Sequence, residues 1–187
     1  MIRCLITGGS ASLPPIEYWM KRGVELVQIR EPQLTTRRLA EFTRKVLALP
    51  NPHGTKILVN DRADVAIACG AHGVHLRDGA PSCFSGRDFS RVGIVTRSAH
   101  RLAQLPDITD ADYILLAPIF APLSKTGSAP PLGLEALREA CRLTSIPILA
   151  LGGITESNAR QCIEAGAAGI AGISCFMQDV PAPSETV

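Results

Sequence analysis

Gln28 and Arg30 are the first residues whose types and spacing could bind a phosphate group. They end the apolar run 26–30, where the alternation of a strand points both side chains to one side and Ile29 to the other. A guanidinium placed in this way forms paired hydrogen bonds with a phosphate or a carboxylate. The alternative is an internal salt bridge with an acidic neighbour such as Asp61.

Two carboxylates at the ends of later runs could bind a metal ion. Asn60 and Asp61 follow directly from the apolar run 56–60. Oxygen ligands of this kind suit Mg²⁺, which often bridges to substrate phosphates. Asp61 could instead cap a helix that begins at Arg62. Asp78 follows the run 73–76 and could be a second metal ligand or a loop cap.

A histidine and several hydroxyl groups belong to the fourth and fifth runs. His75 lies within the run 73–76, and a lone histidine there is more typical of a core residue than of a catalyst. Ser98 ends the fifth run two residues after Thr96, so that both could offer hydroxyl donors near the end of a strand. His100 is equally suited to cap the next helix.

The second half of the chain contains a lysine loop and two glycine turns that favour anion binding. Ser124 and Lys125 lie in a loop that could close over a pyrophosphate, with hydrogen bonds from the serine and charge from the lysine. Gly152, Ile173 and Ser174 follow the last two runs, where backbone N–H groups are open to a phosphate. Tight packing is the alternative reason for these glycines.

Eight short apolar runs must position these side chains. They cover residues 3–7, 26–30, 56–60, 73–76, 93–98, 111–120, 147–152 and 169–175. Helical spacing of apolar residues covers 16–22, 35–49, 62–69, 134–143 and 156–165. Repeated strand and helix units predict an α/β fold, the TIM (β/α)₈ barrel. A doubly wound sheet is disfavoured because no GxGxxG turn follows the first run.

Three regions depart from the regular repeat. Residues 77–91 are rich in proline, glycine and serine, and 101–110 contain Pro106, so that helices four and five should be short or irregular. The segment 177–187 holds two prolines and predicts a reduced eighth helix. We expect the groove that this leaves between the first and last units to be covered by that segment or by another subunit of a homo-oligomer.

The composition limits the class of protein and its partners. Hydrophobic residues make up 46% of the 187 residues and charged residues 19%, as is typical of one compact domain with a buried parallel sheet. The formal net charge of +2 does not favour a nucleic-acid partner. No apolar run is long enough for a membrane span, and we expect a cytoplasmic protein that binds small phosphorylated molecules.

The ordered motifs of the chain resemble those of a known family. They are Val-Gln-Ile-Arg-Glu, Val-Asn-Asp-Arg-Ala-Asp, Gly-Val-His-Leu, Ser-Ala-His, Pro-Ile-Phe, Ser-Lys, Ala-Leu-Gly-Gly-Ile and Ala-Gly-Ile-Ser. Together they are similar to thiamine-phosphate synthase and its relative, the thiazole tautomerase, from about Cys4 to Phe176. The resemblance implies a transferase that joins hydroxymethylpyrimidine diphosphate to thiazole phosphate and releases pyrophosphate.

The same resemblance implies a role for each candidate residue. Gln28, Arg30 and Asn60 would hold the pyrimidine diphosphate, and Asp61 would bind Mg²⁺, with Asp78 as a possible second ligand. The residues that would stabilise the departing pyrophosphate are Ser98, Ser124 and Lys125. The residues that would bind the thiazole phosphate are Gly152, Ile173 and Ser174.

Three positions differ from the motifs of the synthase. Pro32 replaces a lysine, Ala80 replaces a metal-binding aspartate, and Pro122 replaces a threonine. The tautomerase is not matched either, because it uses a histidine where this chain has Pro118. The alternative to a synthase is therefore a relative that is a thiazole tautomerase, or a regulatory protein that binds thiamine phosphate or thiazole phosphate without catalysis.

Overall fold

The computed structural model describes residues 1–9, 12–80, 93–121 and 130–177. Eight parallel strands form a closed barrel in which each strand pairs with the next and the last pairs with the first. The strands are β1 (Ile2–Ile6), β2 (Leu26–Ile29), β3 (Lys56–Asn60), β4 (Gly73–Leu76), β5 (Ile94–Ala99), β6 (Tyr113–Leu116), β7 (Ile148–Leu151) and β8 (Gly169–Gly172). The predicted TIM barrel is confirmed.

Helices connect most of the strands. They are α1 (Leu13–Met20), α2 (Thr36–Leu47), α3 (Ala63–Cys69), α4 (Gly133–Leu143), α5 (Glu156–Glu164) and α6 (Ser174–Met177). A 3₁₀ helix (Leu102–Asp107) that contains Pro106 replaces the fifth helix of the barrel, which was expected to be irregular. The prediction of a short or irregular fourth helix falls largely on residues 81–92, which lie outside the described residues. None of the described helices is long and apolar enough to cross a membrane.

The strands alternate between a barrel interior and an outer layer. Val27 and Ile29 of β2 face outward and pack in one cluster with Phe42 of α2. Leu26 faces inward with Leu115, within a cluster that fills the barrel. Gln28 continues this inward row at the carboxyl end of β2. The alternation that builds the core therefore also delivers polar side chains to the mouth of the barrel.

Two strands end three or more residues earlier than the sequence predicted. The sixth run was predicted to extend over 111–120, but β6 ends at Leu116. Pro118 has no N–H to continue the ladder of hydrogen bonds, and the chain turns there. The eighth run was predicted to reach residue 175, but β8 ends at Gly172 because Ser174 begins α6. Because both strands end early, the backbone that follows them lies at the mouth of the barrel.

The end of the chain determines how the first and last units of the barrel are covered. Within the described residues α6 has four residues, and a groove of about 560 Å³ lies between α1 and α5. The prediction of a reduced eighth helix depends on residues 178–187 and stays a prediction. Trp19 and Phe176 line one part of the groove, and Ala159 and Ile163 line another. Residues 178–187 lie outside the described residues, so the covering of the groove by this segment or by a second subunit stays a prediction.

Candidate active site

A pocket of about 740 Å³ opens at the carboxyl ends of the strands, where TIM-barrel enzymes hold their active sites. Its wall is apolar on the side of β1, β6 and β7, and polar on the side of β2 to β5. The polar side chains that line it are Gln28, Arg30, Asn60, Asp61, His75, Arg77, Ser98 and His100. The structure therefore brings together most of the candidate residues of the first half of the chain.

Gln28 and Asn60 form the floor on the side of β2 and β3. The Gln28 Nε2 group donates to Asn60 Oδ1 at 2.9 Å, and Asn60 Nδ2 donates to Asp61 Oδ2 at 3.2 Å. Gln28 is only 2% exposed, and its Oε1 has no hydrogen-bond partner among the described residues. A buried acceptor without a partner is costly, so this oxygen is suited to a donor from a ligand or a water molecule.

Arg30 reaches the pocket from the end of β2. Its backbone N–H donates to Thr7 Oγ1 at 2.8 Å, which ties the end of β2 to the end of β1. Within the described residues its guanidinium has no ion pair, so the salt bridge with Asp61 that was the alternative does not form. Pro32 also lines the pocket and brings no charge to it. Arg30 is thus placed to bind an anion from solution.

Asp61 turns its carboxylate toward the loop after β4. Its backbone has a φ of 54°, which is rare for a residue other than glycine. The carboxylate accepts a hydrogen bond from the backbone N–H of Arg77 at 2.9 Å, and Arg77 Nη1 lies 3.7 Å from the second oxygen. Asp61 does not cap α3, whose N-cap residue is Arg62. The alternative role as a helix cap is wrong.

His75 lies inside the barrel, deeper from the pocket opening than Ser98. Burial lowers the pKa of His75 to about 4, because a charged imidazole would lose its hydration. The negative charge of Asp61 opposes this lowering of the pKa, while Arg30 and His100 add to it. The ring is therefore neutral at neutral pH. It contacts two hydroxyl groups of β5, one of which is that of Ser98.

His100 is a pocket residue for which the sequence interpretation left a role as a helix cap equally open. Its Nδ1 donates to the carbonyl oxygen of Ala117 at 2.8 Å, which joins the ends of β5 and β6. The signal that could have identified it is the spacing of Thr96, Ser98 and His100, since alternate residues of a strand share one side. The missed residue adds a titratable ring to the pocket beside Ser98.

The glycine turn after β7 packs closely against the turn after β6. Gly152 has a φ of 94°, and a Cβ there would lie 2.8 Å from Cα of Pro118. Gly153 has a φ of 61°, and its Cβ would lie 2.5 Å from the carbonyl oxygen of Ala121. Packing therefore requires glycine at both positions. Both residues also line the pocket, so their backbone groups are open to a ligand.

The end of β8 completes the pocket. Ile173, which is 36% exposed, and Ser174 both line it, on the same side as the glycine turn. The three residues expected at a thiazole phosphate thus lie around one part of the pocket, and the residues expected at a diphosphate lie around another.

The described structure does not bring Asp78 to the pocket, and the lysine loop lies outside the described residues. Asp78 is exposed and accepts a hydrogen bond from Gln104 Nε2 at 2.6 Å, and it does not line the pocket. Its role as a metal ligand would need a different conformation of its loop. Ser124 and Lys125 lie outside the described residues, and their roles stay predictions.

The described part of the chain holds no group of three or more histidine, cysteine, aspartate or glutamate residues that could by itself hold a metal ion. Asp61 is the carboxylate that lines the pocket. Mg²⁺ is usually bound through one or two carboxylates together with substrate phosphates. Asp61 therefore fits a metal that is bound jointly with a phosphorylated ligand.

The chain is similar to known proteins of one family. A family model described as thiamine monophosphate synthase matches residues 4–176. The thiamine-phosphate synthases of Albidiferax ferrireducens and Chloroflexus aurantiacus are 40% and 38% identical, each over 92% of this chain and 81% of the relative. The solved thiamine phosphate pyrophosphorylase of Pyrococcus furiosus has a TM-score of 0.83 at 27% identity, and covers 96% of this chain and 89% of its own. The chain therefore belongs to the thiamine monophosphate synthase family.

Proposed function

We propose that the chain is a thiamine-phosphate synthase, an alkyl transferase that joins hydroxymethylpyrimidine diphosphate to thiazole phosphate. The observation that carries this proposal is that two kinds of anion site open into one pocket. Cationic and amide side chains follow β2 and β3, and open backbone follows β7 and β8. A transfer between two phosphorylated substrates needs both sites within reach of one reacting centre.

In the proposed reaction, the bond between the pyrimidine methylene carbon and the diphosphate oxygen breaks. The electron pair leaves with the pyrophosphate, and the thiazole nitrogen donates its lone pair to the same carbon. Negative charge thus develops on the leaving group, and donors aimed at it lower the barrier. We assign the stabilisation of this negative charge to Arg30, Ser98 and Lys125.

The substrates divide the pocket between them. Gln28 and Asn60 hold the pyrimidine diphosphate beside Arg30, and the buried Gln28 oxygen accepts a hydrogen bond from the pyrimidine. Gly152, Ile173 and Ser174 bind the thiazole phosphate. Leu115 and Leu151 form an apolar part of the wall of the same pocket, which excludes water from a carbocation-like state.

We propose Asp61 as the protein ligand of Mg²⁺. When bound there, the ion neutralises charge on the diphosphate. Asp78 is the proposed second ligand if its loop leaves Gln104. Arg77 already stands beside Asp61 and adds a positive charge to the same edge of the pocket.

The test is a reconstituted reaction with both substrates and Mg²⁺, in which thiamine phosphate is followed by its oxidised fluorescence. The wild-type protein should form product, and Arg30→Gln should reduce kcat/KM by a factor of about 100 or more, since a charge-assisted pair to the leaving group is lost. Arg37→Gln is the matched control, because Arg37 is 89% exposed on α2 and pairs with Glu41. It should retain full activity.

The same assay separates the alternative functions. A wild-type protein that binds thiazole phosphate in calorimetry but forms no thiamine phosphate would contradict the synthase. Conversion of one thiazole isomer into another would then identify a tautomerase. Binding without either reaction would identify a regulatory relative, with Pro32 and Ala80 as the positions at which the synthase motifs were lost.

A further inference from the structure

Three side chains form a continuous row from the barrel interior to the pocket. His75 Nδ1 lies 2.8 Å from Thr96 Oγ1, and His75 Nε2 lies 2.9 Å from Ser98 Oγ. Thr96 is fully buried and His75 is 4% exposed, while Ser98 is partly exposed and lines the pocket. The row therefore has one closed end, at Thr96, and one open end, at Ser98.

The two ring nitrogens of His75 have different roles in their hydrogen bonds to the two hydroxyl groups. The ring is buried, and among the described residues both of its nitrogens face hydroxyl groups rather than a carboxylate, which favours the neutral imidazole. In a neutral imidazole one nitrogen carries a proton and donates, and the other has a lone pair and accepts. A hydroxyl group can do either. The direction of the whole row is therefore fixed by the tautomer of the histidine.

The hydrogen bonds available to Thr96, at the closed end of the row, determine which tautomer of His75 is favoured. If Nδ1 carried the proton, Thr96 would accept it, and the hydroxyl proton of Thr96 would need a second acceptor. Thr96 Oγ1 has no second hydrogen-bond partner among the described residues. A buried donor without an acceptor loses its hydrogen bond to water without replacement, so this arrangement is disfavoured. If Nε2 carries the proton instead, Thr96 donates to Nδ1 and both groups are satisfied.

This choice has a consequence at the open end. With a proton on Nε2, the ring donates to the Ser98 oxygen, and the hydroxyl proton of Ser98 is free for a ligand. With the other tautomer, Ser98 would donate to the ring and present only lone pairs, which repel an anion. Only one of the two directions makes Ser98 a donor to a phosphate oxygen.

We infer that His75 is a positioning residue whose Nε2–H donates to Ser98 and thereby directs the Ser98 hydroxyl proton toward an anionic oxygen of the pyrophosphate group. The inference rests on the proposed function, which places that group at Ser98. His75 touches neither substrate nor leaving group. It acts through Ser98, and Thr96 acts through His75 by fixing the tautomer.

The first test measures the tautomer directly and does not depend on catalysis. Long-range ¹H–¹⁵N correlation spectra at pH 7 distinguish the protonated from the unprotonated ring nitrogen. The four histidines are assigned by comparison with single His→Gln variants. We expect His75 as the Nε2–H form, and a mixture of tautomers in Thr96→Val, which removes the fixed donor. A proton on Nδ1 in the wild-type protein would overturn the inference.

The second test measures the binding of inorganic pyrophosphate by calorimetry. Ser98→Ala and His75→Met should each weaken binding about tenfold, as expected for a lost hydrogen bond to a charged group. In the Ser98→Ala background, His75→Met should cause no further loss. His75→Gln should restore binding to within about twofold of wild type, since its amide N–H can replace Nε2–H. His53→Gln is the control, because His53 is exposed and outside the pocket.

The outcomes separate this inference from the proposed function. If His75→Met weakened pyrophosphate binding equally in the wild-type and Ser98→Ala backgrounds, His75 would only support packing, and the inference would be wrong. Failure of the wild-type protein to bind pyrophosphate would contradict the proposed function and, with it, the ligand assigned to Ser98. A Nδ1–H ring in a protein that binds pyrophosphate would contradict the role of His75 alone.

Discussion

Asp61 and Arg77 share one edge of the pocket, where the backbone N–H of Arg77 donates to Asp61 Oδ1 at 2.9 Å and its Nη1 lies 3.7 Å from Oδ2. The side chain of Arg77 is 76% exposed and that of Asp61 is 24% exposed. A divalent cation that binds Asp61 competes with the guanidinium for the same negative charge. Arg77 should therefore weaken metal binding in the absence of substrate.

The substitution Arg77→Gln tests this competition. It removes the charge but keeps the backbone N–H, so we expect Mn²⁺, used as a probe for Mg²⁺, to bind about two to five times more tightly. This factor corresponds to the energy of an exposed ion pair, up to about 1 kcal/mol. Free Mn²⁺ is measured by electron paramagnetic resonance. Arg138→Gln, which removes an exposed pair with Glu135 on α4, should change nothing.

A second prediction concerns the glycine turn after β7. Gly152→Ala should lower the free energy of unfolding by about 2–4 kcal/mol. The left-handed backbone costs about 1 kcal/mol, and the contact with Pro118 adds the cost of overpacking. Chemical denaturation measures the change. The affinity for thiazole phosphate should fall with it, because the turn lines the pocket.

Gly54→Ala is the matched control for this variant. Gly54 has a φ of 73°, but nothing lies within 4 Å of the added Cβ. It should therefore lose only about 1 kcal/mol, the cost of the backbone conformation. Equal losses for the two variants would show that the contact between the turns after β6 and β7 contributes no stability.

The sequence predicts those parts of the site that depend on local alternation. Because Gln28 and Arg30 lie two residues apart in a strand, their common side follows from the pleat alone, and both line the pocket. The order of eight runs with helices between them likewise predicts the closed barrel, since a parallel strand pair needs a crossover. In these places, local sequence and fold carry the same information.

Contacts between distant segments could not be predicted in this way. Asp78 accepts a hydrogen bond from Gln104, 26 residues away in the sequence. The ring of His75 is oriented by hydrogen bonds with two hydroxyl groups of the neighbouring strand. Asp61 turns toward Arg77 through a φ of 54°, which no local pattern of the sequence indicates. Such features depend on which strands become neighbours and on how their loops meet, and these are known only from the fold.

A third prediction concerns the ion pair that fastens the outer side of β5. Arg97 Nε lies 2.8 Å from Asp110 Oδ1, and its Nη2 donates to Oδ2 at 2.9 Å. The two side chains are only 10% and 15% exposed. Arg97 Nη1 also donates to the carbonyl oxygen of Ala80, which follows β4. This pair therefore links three segments of the chain.

Asp110→Ala should lower the free energy of unfolding by about 3 kcal/mol, because it removes the carboxylate that is paired with a largely buried guanidinium. Glu135→Ala removes an exposed partner, 91% accessible, and should cost less than about 0.5 kcal/mol. Urea denaturation of both variants at pH 7 measures the difference. Similar small losses would mean that hydration of Arg97 replaces the pair.

The last prediction concerns the pH dependence of stability that His75 causes. Its pKa is about 4 in the folded protein, below the ordinary value of 6.5, so the unfolded chain binds a proton in this interval before the folded protein does. The contribution of His75 is therefore fully present above pH 6.5 and is lost as the pH falls toward 4. The difference corresponds to roughly 3 kcal/mol.

His75→Gln removes this titration but leaves the charged groups that face the ring, Asp61, Arg30 and His100, in place. Between pH 6.5 and 4, we expect the unfolding free energy of the wild-type protein to fall by up to about 3 kcal/mol more than that of the variant. Denaturation with urea at several pH values measures both curves. Parallel curves would mean that the pKa of His75 is not lowered in the folded protein, and that the ring binds a proton over the same pH range as in the unfolded chain.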